Sequence, residues 1–186
     1  MKRNNQESPS VIGHAIVSSN FCIADSQGNM PESLKSETDW NMFQSDLDNS
    51  DLVILGRKSF EKYSAPKRFR LVPTSSLSGY LKEEDLIFFN PKDISIRQIL
   101  ATLDLFPKKI AIAGGSHVYE LVFKDFFYTE FHLSIKSNLV MPNGVPVLNG
   151  VENIHQFTHR MNENNMMQCQ DLALDKDTIQ VRFQSL

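Results

Sequence analysis

The sequence predicts one α/β domain: a mostly parallel mixed sheet with helices on both faces and an antiparallel edge contributed by the C-terminal segment. Three observations carry this. Short apolar runs alternate with segments of helical periodicity across short loops, the pattern of parallel strands joined by crossover helices. Two of those runs, LVILG (52–56) and IAIAGG (110–115), close on glycine and pass straight into a helical segment. The C-terminal segment instead holds FTHRM and TIQVRF, alternating runs that suit antiparallel strands.

Taken in order, residues 1–10 (MKRNNQESPS) offer no apolar face and are expected to form a flexible tail, leaving 11–186 as the domain. VIGHAIVSS, from Val11, has the β-rich composition of a buried strand. ADSQGNMPES, with Gly28, Asn29 and Pro31, is too polar for a core element and reads as a loop. Ser36 has the character of a helix N-cap, with Glu37 and Asp39 in the first turn and Trp40, Phe43 and Leu47 spaced along one face. The run 51–56 is a strand and RKSFEKY the helix after it, while 70–73 and 86–89 are further strands. Ile96, Ile99, Leu100 and Leu103 then trace one helix face. KKIAIAGG is a strand, SHVYELVFKDF a helix, and 128–134 returns to β character. IHQFTHRM reads as a strand, which would set His155 and His159 about 13 Å apart at roughly 3.3 Å per residue and exclude them as a zinc pair.

Composition narrows the function. A chain of 186 residues with 41% hydrophobic and 22% charged residues suits one ordinary globular domain and neither a disordered nor a fibrous protein. No apolar run exceeds four residues, against the roughly 20 needed to span a bilayer, so no membrane association is expected. A net charge of −3 argues against a nucleic-acid partner. The only two cysteines, Cys22 and Cys169, lack metal-ligand spacing and fit a reducing, cytoplasmic setting. No metal is expected, and the chain is expected to be a monomer or homodimer.

In open α/β sheets, ligands bind beyond the carboxyl ends of the strands, where helix N-termini present free N–H groups. Both glycine-ended strands offer such a turn, and the first adds Arg57, Lys58 and the Ser59 hydroxyl, suited to phosphate oxygens. Two phosphate-ready turns in one small domain point to a dinucleotide. Neither a G-x-G-x-x-G fingerprint nor a P-loop occurs.

At this point the motifs become specific. GRKSFE (56–61), IAGGSHVYE (112–120), the loop IADSQGNMP (23–31), DWNMF (39–43) and RLVPTSS (70–76) occur in the order, and at nearly the spacing, of the blocks of dihydrofolate reductases. The sequence resembles that superfamily, including the reductase half of the riboflavin pathway, from Val11 to about Leu148. The resemblance implies a three-layer dihydrofolate-reductase-like fold and an NADPH cofactor. Gly56, Arg57, Lys58 and Ser59 would hold its 2′-phosphate and ribose, and Thr74 and Ser75 would flank the adenosine. Ser116 and His117 would lie by the diphosphate and Tyr119 by the nicotinamide, with Ala113, Gly114, Gly115 and Val118 also binding the cofactor. It also implies a cis peptide between Gly114 and Gly115. Asp39 would be the pocket acid that binds a pterin and helps protonate its imine nitrogen. Ala15, Ile16, Ile23, Met30 and Phe43 would line the substrate, Arg68 would clamp a folate carboxylate, and Ser134 would hydrogen-bond Asp39.

Three features depart from the family. Glu32 follows Met30-Pro31 where tryptophan is usual, about two extra residues separate Met30 from the acid, and Ser116 replaces a third glycine. Three functions are therefore carried forward. The first is NADPH-dependent reduction of a dihydropterin C=N bond. The second is reduction of a phosphorylated ribosylamino-pyrimidine, with Lys67, Arg68 and Arg70 as candidates for its phosphate. The third is nucleotide binding without turnover.

Overall fold

Nine consecutive residues, Ser10–Ser18, form the strand β1, and every one after Ser10 is buried. The computed structural model describes residues 8–62 and 68–186, so most of the expected tail, and Lys67, lie outside the described residues. Ser10 itself already pairs with Lys109. The chain continues through β2 (Cys22–Ala24), a 3-10 turn (Glu32–Leu34), α1 (Glu37–Asp48), β3 (Leu52–Ile54), α2 (Arg57–Lys62), β4 (Arg70–Pro73), β5 (Tyr80–Glu83) and β6 (Leu86–Phe89). Then come α3 (Ile96–Thr102), β7 (Lys109–Ile112), α4 (Ser116–Asp125), β8 (Glu130–Lys136), β9 (Val145–Pro146), α5 (Ile154–Glu163), β10 (Met166–Ala173) and β11 (Thr178–Ser185).

Nine strands make one sheet in the order β10-β11-β8-β1-β7-β3-β4-β6-β5, and β2 pairs with β9 apart from it. From β8 to β6 all neighbours run parallel; β11 and β10 add the antiparallel edge at one side and β5 a second at the other. Alternation along the strands sorts the side chains into two layers. Val11, Ala15, Val17, Ile54, Ile112, Phe131 and Leu133 pack with residues of α3, α4 and α5, while Val53, Leu55, Val72 and Ala111 pack with Leu47, Phe43 and Phe60 of α1 and α2. Helices thus cover both faces, as the sequence predicts.

Two expectations change. IHQFTHRM is helical, not extended: Asn153 caps α5 by accepting from the Gln156 N–H, and Phe157 and Met161, four apart, are fully buried. Its apolar residues obey a helical period that its short alternation obscures. His155 and His159 are therefore one helical turn apart, both exposed, with His159 beside Glu163. On α1, Ser36 caps the helix as expected, but the face turned to the sheet carries Asp39, Phe43 and Asp46 (i, i+4, i+7), and Trp40 is 42% exposed.

Candidate functional site

The two glycine turns expected to meet a cofactor lie where β3 and β7 end. The Gly56 N–H donates to the Gly114 carbonyl at 2.7 Å, so the two glycine turns touch. A Cβ on Gly56 would meet Gly114 O and Gly115 N at 3.4 Å, and one on Gly115 would meet Ile23 Cδ1 at 3.4 Å, so these residues line a narrow cradle. Gly114 has φ of +78°, a left-handed conformation that glycine adopts without strain, and the Gly114-Gly115 peptide is cis. Gly115 is the N-cap of α4 and has no side chain to satisfy the first-turn N–H groups of Ser116 and His117. Ser116 is buried and His117 exposed.

Arg57 and Lys58 stand exposed at the start of α2. The Arg57 guanidinium donates to Glu61 and to Ser76 Oγ, each at 2.7 Å, and lines a cleft with Thr74, Ser76, Leu77, Phe60 and Phe88. It is Ser76, next to the expected Ser75, that meets Arg57; the Thr74 hydroxyl accepts from the Ser76 N–H. Lys58 Nζ reaches the Gln27 carbonyl at 3.4 Å, bringing the 23–31 loop over α2.

The acid side is built on β1. Asp39 is 5% exposed, and its Oδ1 lies 3.0 Å from His14 Nε2. The other His14 nitrogen, Nδ1, lies 3.2 Å from Asp46 Oδ2, and the His14 ring packs on Phe43 with centroids 5.2 Å apart. Burial alone would pull the His14 pKa down, but the Asp39 and Asp46 carboxylates outweigh it and raise the value. Burial would push the Asp46 carboxyl up; the His132 and His14 rings hold it well below the usual carboxylate range instead. The Tyr119 hydroxyl donates to the His14 carbonyl at 2.6 Å, and burial and the Asp39 charge push its pKa far up.

The other residues expected to line a substrate divide between the two faces of β1. Ala15 belongs to the main core, while Ile16 and Met30 pack with Cys22, Leu34 and Met141 in a separate cluster. Leu34, fully buried, anchors the segment after Met30-Pro31, and Glu32 pairs with Lys35 at the surface. Ser134 Oγ accepts from Gln180 Nε2 at 3.2 Å, so the partner of Asp39 is His14 rather than Ser134. Arg68 is engaged by Asp48 and by Gln44, and Arg70 donates to the Arg68 carbonyl. His14, Asp46 and His132 are the residues that motif reading misses. The signal for them is strand parity, which sets His14 between Ile12 and Ile16, and His132 beside Ser134, on the α1 side of a buried sheet, where polar side chains are rare.

No protein-family model matches the sequence, and no curated protein matches it. Solved structures do. A diaminohydroxyphosphoribosylaminopyrimidine deaminase/5-amino-6-(5-phosphoribosylamino)uracil reductase from Thermotoga maritima superposes with a TM-score of 0.69 over 96% of this chain at 14% identity, and this chain spans only 57% of that one. A pyrimidine reductase-like protein from Corynebacterium diphtheriae matches with a TM-score of 0.68 at 15% identity, over 96% of this chain and 92% of its own. Dihydrofolate reductase from Enterococcus faecalis, complexed with NADP(H) and RAB-propyl, gives 0.63 at 15% identity over 94% and 95%. The sheet order, the two joined glycine turns and these matches together show that the chain has the dihydrofolate reductase-like fold.

Proposed function

We propose that the protein is an NADPH-dependent reductase that delivers hydride to the C=N bond of a dihydropterin. One observation supports this above the rest: a single residue, His14, holds Asp39 through its ring and receives Tyr119 of the α4 helix through its carbonyl. Acid and glycine turn are thereby fixed relative to each other, as positioned catalysis requires. The residues present fit the cofactor, because Gly56, Gly114 and Gly115 bring two strand ends together without side chains and the α4 N-terminus has spare Ser116 and His117 N–H donors beside them.

In this reading Arg57, Lys58 and Ser59 bind the 2′-phosphate end, with Thr74, Ser75 and Ser76 alongside the adenosine. Ser116 and His117 offer α4 N–H groups to the diphosphate, and Val118, whose N–H is donated to the Gly115 carbonyl at 2.8 Å, packs behind them. The bound cofactor supplies the hydride. Asp39 accepts hydrogen bonds from the pterin and holds a proton for the imine nitrogen, either directly or through water, because hydride arrival leaves negative charge there. Ile23 and Phe43 flank the ring, Ala15 and Ile16 present strand backbone to it, and Met30 braces the loop.

A second reading, reduction of a phosphorylated ribosylamino-pyrimidine, is favoured by one observation. The pyrimidine reductase-type structures superpose with TM-scores of 0.69 and 0.68, above the 0.63 of dihydrofolate reductase, whereas the engagement of Arg68 by Asp48 and Gln44 removes a candidate from both readings. Incubating the protein with NADPH and either dihydrofolate or the phosphoribosylamino-pyrimidine, and following the absorbance of the reduced nicotinamide, separates the readings. Consumption with dihydrofolate supports the first and consumption with the pyrimidine alone the second. NADPH binding without consumption leaves only a nucleotide-binding role.

A further inference from the structure

We infer that His14, Asp46 and His132 form a binding site for a divalent transition cation of the zinc class, a site that shares the His14–Asp39 contact with the reductase reading but does not require it. His14 on β1 and His132 on β8 are direct partners in the parallel ladder, and Asp46 reaches them from α1. The two Nδ1 atoms each lie 3.2 Å from the same oxygen, Asp46 Oδ2, and all three atoms fall within 4.8 Å of one another. Ligand bonds of roughly 2.0–2.1 Å in a tetrahedral site put neighbouring ligand atoms roughly 3.3–3.4 Å apart. The two nitrogen–oxygen spacings already match, and the two nitrogens lie within 4.8 Å of each other.

The outer nitrogens make the case stronger. His14 Nε2 lies 3.0 Å from Asp39, and His132 Nε2 lies 3.2 Å from Glu130 Oε2. All four imidazole nitrogens thus face carboxylate oxygens, which only accept. With Asp39, Asp46 and Glu130 ionised, the state before Asp39 takes up any proton for reduction, two neutral rings carry two N–H groups for four contacts, so two positive charges are missing. Two added protons would create two imidazolium rings with centroids 5.7 Å apart at positions 4% and 6% exposed. One divalent ion at the point where both Nδ1 atoms and Oδ2 converge supplies the same charge with both rings neutral. Each Nε2–H then donates outward to a carboxylate, the arrangement that fixes metal-ligating histidines. Two imidazoles and one carboxylate suit zinc-class ions rather than calcium or magnesium, and three protein ligands leave one tetrahedral position to water. Asp46, half-buried, gives the ion its way in.

The test is titration of chelator-treated full-length protein with Zn²⁺, and with Co²⁺ followed by its visible absorption. The proteins compared are the native chain, Asp46→Asn, His132→Ala, Glu130→Gln and a His155→Ala/His159→Ala double variant that removes the exposed pair on α5. One equivalent should bind to the native chain and to the double variant, with a tetrahedral Co²⁺ spectrum and a raised melting temperature. Affinity should fall at least about tenfold in Glu130→Gln and further in Asp46→Asn and His132→Ala. If His132→Ala does not fold, Asp46→Asn and Glu130→Gln decide. No saturable equivalent in the native chain, or binding that disappears with the α5 pair and survives in Asp46→Asn, overturns the site.

Discussion

The Tyr119 hydroxyl donates to the His14 carbonyl at 2.6 Å, fastening the helix that begins at the Gly114-Gly115 turn to the strand beneath Asp39. Both partners are buried, so water cannot replace this bond. Tyr119→Phe keeps the ring that packs on Phe131 and loses only the donor. It should cost about 0.5–1.5 kcal/mol, read as a melting temperature lower by roughly 2–4 °C per kcal/mol for a chain of this size. An unchanged melting temperature would mean that the contact does not hold the two parts together.

Arg57 projects from α2 into the cleft shared with Thr74 and Ser76, where Glu61 and Ser76 already orient it. Arg57→Ala should weaken NADPH by about ten- to a hundredfold, the range of a lost charge-assisted contact. NADH, which lacks the 2′-phosphate, should lose much less. Calorimetric titration of both nucleotides checks this, and equal losses would move Arg57 away from the 2′-phosphate.

Gly13, in the middle of β1, lies against two aromatic rings. An added Cβ would come within 2.8 Å of Tyr128 Cε1 and closer still to Phe131, both fully buried. Gly13→Ala must displace those rings and should cost roughly 1–3 kcal/mol in urea unfolding. A cost near zero would show that the core there gives way.

Asp175 ties the C-terminal hairpin to α1: it accepts from the Ser36 hydroxyl at 2.8 Å and from the Asp177 N–H. The Asp177 backbone bond, with help from Ser36, lowers its pKa to about 2. A lowered folded-state value stabilises the fold at pH values above the ordinary carboxylate range, and that contribution disappears as pH falls from about 4 towards 2. Asp175→Asn should therefore melt slightly below the native chain near neutral pH and match it near pH 2. A gap that persists in acid would trace to something other than this charge.

The fold was legible in the sequence wherever one pattern stood alone. LVILG and IAIAGG are short apolar runs ended by glycine, and both are strands feeding helices, with the Gly114-Gly115 cis peptide where the resemblance implied it. IHQFTHRM was misread because its short polar-apolar alternation hides the Phe157-to-Met161 spacing that buries one face of α5. The two glycine turns were legible because their residues are adjacent in the chain. The surroundings of Asp39 were not, since His14, Asp46 and His132 meet only once β1 and β8 pair and α1 lies across them. Arg68 and Ser134 match the motif in position, but Asp48, Gln44 and Gln180, which occupy them, come from elsewhere in the fold.

The central claim is that hydride passes at a site between the glycine turns and Asp39. The direct measurement uses NADPH carrying deuterium at both C4 positions of the nicotinamide, with dihydrofolate and with the phosphoribosylamino-pyrimidine, and mass spectrometry of the products from the native chain and from Asp39→Asn. One deuterium should be carried into one of the two products by the native chain. Asp39→Asn should bind NADPH as before and slow that transfer by roughly 10²–10⁴-fold, the span for a lost general acid. NADPH bound with no deuterium transferred to either substrate, or transfer at the native rate by Asp39→Asn, would contradict the account.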